Sequence, residues 1–351
     1  MKTVLVTGGA GFIGSHTCIN LIENNYRLIV VDSNINSSPK SIERIRQLFK
    51  NKSIDLSDLL NFFHGDIRDK NFLNQIFANA KKDKSPIEAV LHFAGLKSVE
   101  DSFKDPMLYW ENNVVGSLTL FEVMQSFNCN TVVFSSSATV YGITSQKSVD
   151  ESSVINPNNP YGQTKAAVEN LLEGIFKSYS DKWRIANLRY FNPIGAHESG
   201  LIGEDPNDKP NNLFPIICRV AGGTYKNLKI FGRDWPTIDG TGVRDYIHVM
   251  DLADSHRCAL DFLLNNQPQF LNLNIGTGKG TSVLELIQIF SDVNECDISY
   301  EFCERRPGDL PVVIANNRKA IELLNWCPKK NLYDMCLDGW NWQKLNPNGY
   351  K

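Results

Sequence analysis

Along the first half of the chain, short apolar runs alternate with longer segments in which apolar residues recur at helical spacing. The runs Thr3 to Thr7, Leu28 to Asp32, Leu60 to His64, Ala89 to Phe93, Thr131 to Ser135 and Ile185 to Leu188 read as strands. Strict alternation of strand and helix implies parallel strands joined by right-handed crossovers. The expected fold is therefore α/β, a Rossmann-like doubly wound parallel sheet covered on both faces. An eight-fold barrel is disfavoured by the way the chain starts. After about Tyr190 the rhythm breaks into a loop-rich stretch, Asn192 to Asn212, dense in Gly, Pro, Asn and Asp. Helices and strands then recur less regularly. This predicts a first domain over 1–190 and a smaller mixed α/β C-terminal lobe over 191–351. The segments Tyr246 to Leu264 and Leu271 to Ile275, within about 244–276, are candidates to return to the first domain. The long second crossover, Ser37 to Leu59, reads as a surface insertion.

Composition narrows the partners. The 351 residues are 42% hydrophobic and carry a net charge of −3, which gives no electrostatic footprint for nucleic acid or a membrane surface. Small molecules are the expected partners. Cys18, Cys129, Cys218, Cys258, Cys296, Cys303, Cys327 and Cys336 are scattered with no CxxC pair. They read as reduced structural thiols, and no metal is expected. The apolar run before Gly8 is too short for a signal-peptide core, and no uncharged stretch approaches the ~18 residues of a membrane span. A cytoplasmic protein is the expectation.

Candidate chemistry begins at TGGAGFIG, which sets Gly8, Gly9, Gly11 and Gly14 between the first strand and a helix. Glycines there allow a tight turn, close approach of the backbone to a pyrophosphate and close helix–strand packing. The helix N-terminus favours the anion. With a carboxylate, Asp32, ending the next strand, the pattern predicts a dinucleotide site. Asp32 is followed by Ser33, Asn34, Ile35 and Asn36, none of them a cation for a 2′-phosphate, so NAD is expected rather than NADP. Asp66, after His64 and Gly65, is placed for adenine or for a turn cap.

Tyr161 and Lys165 lie four residues apart just inside a helix opening at Pro160, hence on one face. Many solvated helix faces show that spacing. Yet a positive charge beside a phenol, whose pKa is ordinarily roughly 10, favours the phenolate and makes Tyr161 a candidate base. Ser135, Ser136 and Ser137 end the fifth strand on the side of the sheet where doubly wound folds bind ligands. One hydroxyl can reach toward Tyr161; a plain cap is the other reading.

Ser, Tyr and Lys in this order behind a glycine-rich turn resemble the extended short-chain dehydrogenase/reductase superfamily across the whole chain. Longer stretches narrow the resemblance to the UDP-glucose 4-epimerase family: HFAGLKSV from His92, FSSSATVYG from Phe134, LRYFNPIGAH from Leu188, PNNLFP from Pro210, DGTGVRDYIHVMDLAD from Asp239 and RRPGDLP from Arg305. The resemblance implies Ser137, Tyr161 and Lys165 as the catalytic three. It implies NAD held tightly by Gly8, Gly11, Phe12, Ile13, Gly14, Asp32, Ser33, Asn36, Ser37, Asp66, Ile67, Phe93, Ala94, Gly95, Lys97, Asn113, Ser135, Tyr161, Lys165 and Phe191. A UDP-hexose is expected at Lys97, Ser137, Tyr161, Asn192, Asn212, Leu213, Lys229, Phe231, Arg244, Arg306, Asp309 and Val313. In that set Arg244 and Arg306 suit a diphosphate, Asp309 a uridine ribose hydroxyl, and Phe231 a place beside uracil. Arg305, Arg306 and Asp309 could instead form a surface ion-pair cluster.

The implied activity is interconversion of UDP-glucose and UDP-galactose by transient oxidation at C4, rotation of the 4-ketose and hydride return to its other face. A dehydratase would need an added acid/base pair beside the serine, where this chain has Ala138 and Thr139. An epimerase for another UDP sugar (an N-acetylhexosamine, a uronate or a pentose) is the main competitor, although no clear clamp for a uronate carboxylate is visible. A non-catalytic NAD sensor predicts a lost Tyr or Lys, and both are present. Two departures from the family pattern stand out. Val313 occupies the position where hexose-restricted bacterial members carry tyrosine, which predicts a roomier sugar pocket and turnover of N-acetylated sugars. Glu100 replaces a common glycine. The family also implies a homodimer, formed through the helices near Pro106 to Phe127 and Pro160 to Tyr179.

Overall fold

The computed structural model describes residues 1–142, 148–207, 210, 212–306 and 309–350. Asn211, Pro307 and Gly308, inside two of the matched stretches, lie outside the described residues. Seven strands form one sheet: β1 (Thr3–Thr7), β2 (Arg27–Asp32), β3 (Leu60–His64), β4 (Ile87–His92), β5 (Thr131–Ser135), β6 (Arg184–Tyr190) and β7 (Gln269–Ile275). Their order is β7-β6-β5-β4-β1-β2-β3, with every pairing parallel. The six strands expected from the apolar runs are all present. The order reverses between β1 and β4, and that reversal opens a crevice at the carboxyl ends of the strands.

Helices cover both faces: α1 (Phe12–Glu23), α2 (Lys40–Asn51), α3 (Lys70–Lys82), α4 (Gly116–Ser126), α5 (Pro160–Ser178) and α6 (Val249–Asn265). Leu21, Ile45 and Leu260 lie in the core on one face, and Leu73, Leu120 and Leu172 in the core on the other. The segment Ser37 to Leu59, expected as a surface insertion, is instead a covering crossover. Ile42, Ile45, Leu48 and Phe49 of α2 are buried against the sheet layer, a stripe at helical spacing. The chain leaves the sheet after β6 and returns with α6, which packs on α1, and with β7, which pairs along the whole of β6.

The remaining C-terminal part forms a second, smaller core around Phe214, Ile217, Leu286, Phe290 and Met335. Two of its helices, Val283–Asn294 and Leu332–Leu345, begin with capping boxes, Ser282 with Glu285 and Asn331 with Asp334. A four-stranded sheet stitches distant segments together, in the order Thr281–Ser282, Val243–Arg244, Val312–Ala315 and Ser148–Val149. All eight cysteines are free thiols. Among the described residues no helix is long and apolar enough to cross a membrane. Glu100 lies in the first turn of the short helix Val99–Lys104, where a carboxylate complements the helix dipole, and it pairs with Lys104 at 2.9 Å.

Candidate active site

A cavity of about 720 Å³ follows the carboxyl ends of the strands and continues into the second lobe. At its floor the turn after β1 has Gly8 at φ +71°, and a Cβ there would stand 2.6 Å from the Ala94 amide nitrogen. A Cβ on Gly14 would stand 2.3 Å from the Gly8 carbonyl oxygen. Backbone atoms cannot yield at those distances, so this tight turn admits only glycine at both positions. Gly11 caps α1 without a side-chain hydrogen bond, and the helix has no acidic residue in its first turn. Gly11, Phe12, Ile13 and Gly14, the first turn of α1, line the cavity, and no capping side chain takes up its N–H groups.

Asp32 ends β2 almost fully buried. Its Oδ2 accepts from the Ala10 amide at 2.9 Å, and its Oδ1 accepts from the Asn34 amide and the Ser37 hydroxyl, each at 2.9 Å. The carboxylate therefore ties the glycine turn to the following loop, where Ser33, Asn36 and Ser37 line the cavity. Asn207 reaches across from the second lobe and donates to the carbonyls of Asn34, Ile35 and Ser37 at 3.3, 3.2 and 3.1 Å. Asp66 and Ile67 line the same end. Burial pushes the Asp66 carboxyl up, but hydrogen bonds and charge from Arg68, at 2.7 Å, outweigh it and hold the group below the usual carboxylate range.

Phe93, Ala94, Gly95 and Lys97 form the opposite wall. Lys97 bridges to Glu204 of the second lobe at 2.9 Å. Asn113 is set behind that wall: it accepts from the Leu96 amide at 2.7 Å and donates to the Leu96 carbonyl at 3.1 Å and to the Thr164 hydroxyl at 3.0 Å. It sits in the π-helical stretch Trp110–Val115 and braces the Gly95 to Lys97 turn against α5.

Ser137, Tyr161 and Lys165 come together at the end of β5. Asn159 caps α5 by accepting from the Gly162 amide at 2.8 Å, with Pro160 in the first turn, and this fixes where the Tyr161 and Lys165 face points. The Lys165 ammonium donates to the Ser135 carbonyl at 2.7 Å and lies 5.8 Å from the centre of the Tyr161 ring. Ser137 accepts from the Thr139 hydroxyl at 3.0 Å, and its hydroxyl lies near enough to the Tyr161 phenol to favour the phenolate.

The expectation that Lys165 makes Tyr161 acidic is corrected in the protein by itself. Burial drives the Tyr161 phenol well above its usual range, the Tyr190 phenol adds to this, and the Ser137 hydroxyl only partly opposes it. Burial also draws Lys165 down to about 8, against the opposing charge of Glu169. Desolvation disfavours both charged forms and outweighs the neighbour effect. Tyr190 is a site residue that the sequence motifs do not assign. It lines the cavity and its hydroxyl accepts from Ser135 at 2.9 Å. The signal was there, an aromatic at a strand end inside one of the matched stretches.

At the far end Phe191, Asn192, Asn212, Leu213, Lys229, Phe231, Arg244, Arg306 and Asp309 line the cavity. Arg244 donates to the carbonyls of Val243 and Leu310 at 2.9 and 2.8 Å and meets Asp309 at 3.3 Å. The Arg306 guanidinium stacks 3.8 Å over the Phe231 ring. Arg305 turns outward to Asp234 at 2.9 Å, an exposed pair worth roughly 0–1 kcal/mol. Val313 stands apart from the wall. It pairs in register with Arg244 and packs in the layer that holds Phe191, Val140 and Ala138.

A glycine turn at the switch point of a doubly wound sheet, with a serine, a tyrosine and a lysine at the end of β5, defines the class of extended short-chain dehydrogenases/reductases. A family profile described as GDP-mannose 4,6 dehydratase matches residues 5–338. UDP-glucose 4-epimerase 2 of Arabidopsis thaliana is 48% identical over 349 residues, 99% of this chain and 97% of the relative. The crystal structure of a UDP-glucose 4-epimerase from Stenotrophomonas maltophila, with bound NAD and formylated UDP-arabinopyranose, superposes with TM-score 0.92 at 43% identity and covers 99% of both chains. The UDP-Glc/GlcNAc 4-epimerase of Campylobacter jejuni is 32% identical with TM-score 0.82, over 98% of this chain and 100% of that one. The chain belongs to the UDP-glucose 4-epimerase family.

Proposed function

We propose that the protein interconverts UDP-glucose and UDP-galactose with NAD as a resident cofactor. The observation that carries this reading is one continuous cavity joining the glycine turn, the Ser137, Tyr161 and Lys165 cluster and the arginines at its far end. The residues present fit the cofactor: the glycine cradle leaves no room for a Cβ at Gly8 or Gly14, and the Asp32 carboxylate stands at the ribose end with no cation among the residues that follow it. When bound, NAD would supply a reversible hydride acceptor.

An unactivated sugar C–H is far too weak an acid for direct deprotonation, so inversion at C4 must pass through a ketone. Tyr161 takes the proton of the 4′-hydroxyl and returns it after the ketose has turned over. Ser137 holds the 4′-oxygen and relays the proton. Lys165, anchored on the Ser135 carbonyl, supplies positive charge beside the phenol. Arg244 and Arg306 grip the diphosphate, Asp309 a ribose hydroxyl, and Phe231 backs the uracil. This grip leaves the sugar free to rotate. Dehydration would need a carboxyl acid/base beside Ser137, and Ala138 and Thr139 provide none.

Both UDP-glucose and UDP-N-acetylglucosamine are expected to be converted. Val313 bears on this from behind the wall: tyrosine there would displace Phe191 toward the sugar, so Val313→Tyr should selectively lose the N-acetyl substrate. A side-by-side assay checks it. Absence of UDP-glucose turnover sinks the whole reading, while turnover of UDP-glucose alone sinks only the wider range.

A cytoplasmic homodimer completes the proposal. Phe103 (62%), Met107 (81%), Trp110, Val115 and Leu118 expose an apolar face on the helices before and within the Pro106 to Phe127 region. Met107→Glu should shift sedimentation from dimer to monomer, and a wild-type monomer at micromolar concentration would refute the assembly.

A further inference from the structure

Behind the catalytic cluster lies a buried ion pair, Glu169 with Arg189, whose side chains are 6% and 4% exposed. Arg189 donates from Nε to both carboxylate oxygens at 3.0 and 3.2 Å and from Nη2 to Oε2 at 2.6 Å. Burying two charges gains little stability over a well-packed apolar pair. What this pair touches is therefore informative. Glu169 accepts from the Ser136 hydroxyl at 2.5 Å, immediately before Ser137. Arg189 donates to the Tyr141 hydroxyl at 3.1 Å, at the end of the 3-10 turn Ala138–Tyr141 that follows Ser137. Ser137 is thus held from both sides of the chain by one salt bridge.

The same carboxylate serves the lysine. Glu169 is one turn beyond Lys165 on α5, and its charge opposes the loss of the Lys165 proton that burial promotes. Other titratable or charged groups around Lys165 are Tyr161 on the same helix, His92 on β4, and Tyr190 and Arg189 on β6. His92 is buried and drawn down to about 3, so it is neutral. Glu169 is the carboxylate in this set.

Resting on the epimerase reading above, we infer that Glu169 and Arg189 position the reaction: through Ser136 and Tyr141 they set the Ser137 hydroxyl, and Glu169 stands one turn from Lys165 on the same helix. Neither residue reaches the cavity wall, so both are positioning residues rather than catalytic ones.

Ser136→Ala is the cleaner test, because it cuts the link to Ser137 and leaves the ion pair whole. Its kcat for UDP-galactose should fall roughly tenfold, as misplacement of a reacting group does, with KM within about twofold of wild type. Glu169→Gln should also move the alkaline limb of the kcat profile to lower pH, since removing the carboxylate lets Lys165 lose its proton sooner; Ser136→Ala should leave that limb in place. If Glu169→Gln fails to fold around the unpaired Arg189, Ser136→Ala decides alone. An active wild type whose Ser136→Ala variant keeps full kcat overturns the positioning role. An inactive wild type overturns the epimerase reading itself.

Discussion

A Tyr161→Phe protein is expected to fold, to keep its cofactor and to epimerise roughly 10²–10⁴-fold more slowly than wild type, the usual contribution of a positioned acid/base group. The phenol is 6% exposed, and its ring packs at the end of β5 whether or not it carries oxygen. Losing the hydroxyl removes at most one hydrogen bond's worth of interaction, and Ser137 still accepts from Thr139 at 3.0 Å, so stability should move by no more than about 1.5 kcal/mol. Thermal unfolding and bound-cofactor content would then match wild type while turnover collapses. The effect belongs to kcat, because the proton is exchanged as the C4–H bond breaks. Since burial holds the free protein's phenol protonated, activation of Tyr161 has to come with loading of the cavity, and the free chain's resting phenol is not itself the base. A variant with full activity would remove Tyr161 from the mechanism and leave Ser137 as the proton carrier.

Local pattern reached a long way into this molecule. The apolar runs locate six of the seven strands of the main sheet, and Leu271 to Ile275, the candidate to return to it, lies in the seventh. Each is long enough for its periodicity to outweigh chance. The glycine turn and Asp32 were legible because their spacing is imposed by one supersecondary unit. What stayed hidden depends on contacts far apart in sequence. Two-residue strands such as Val243–Arg244 and Thr281–Ser282 have no periodicity to read and exist only because their partners arrive. Lys97 and Glu204 meet across 107 residues, with nothing in either stretch to announce it. Ser135, Ser136 and Ser137 look alike in the sequence, yet one accepts the ammonium on its carbonyl, one bonds to a buried carboxylate and one faces Tyr161. The reading that the Lys165 charge lowers the pKa of Tyr161 fails in the free protein because burial, which sequence spacing does not show, sets the larger effect.

Gly11→Ala is expected to fold normally and yet lose its hold on the cofactor. The two neighbouring glycines make a useful contrast. At Gly14 an added Cβ would stand 2.3 Å from the Gly8 carbonyl oxygen and 2.7 Å from the Gly9 Cα, both backbone atoms, so Gly14→Ala should cost at least the roughly 1–3 kcal/mol typical of overpacking. Loss of cofactor there would say little about the ligand. Gly11 has φ −74° and ψ 176°, open to any residue, and the nearest atom to its Cβ would be the Gly8 carbonyl oxygen at 3.3 Å. The folded chain therefore needs glycine at 11 only weakly, and alanine there should leave stability within about 1 kcal/mol of wild type. An anion seated on the first turn of α1 does need it, because a methyl group at the N-cap stands between the phosphate oxygens and the N–H groups that would receive them. Gly11→Ala should accordingly bind NAD at least ~10-fold more weakly, about 1.4 kcal/mol, measured by calorimetry on cofactor-stripped protein, and it should purify with less NAD than wild type. Wild-type affinity in a stably folded Gly11→Ala protein would move the pyrophosphate off this turn, and the NAD-dependent chemistry at Tyr161 would then need another seat for its hydride acceptor.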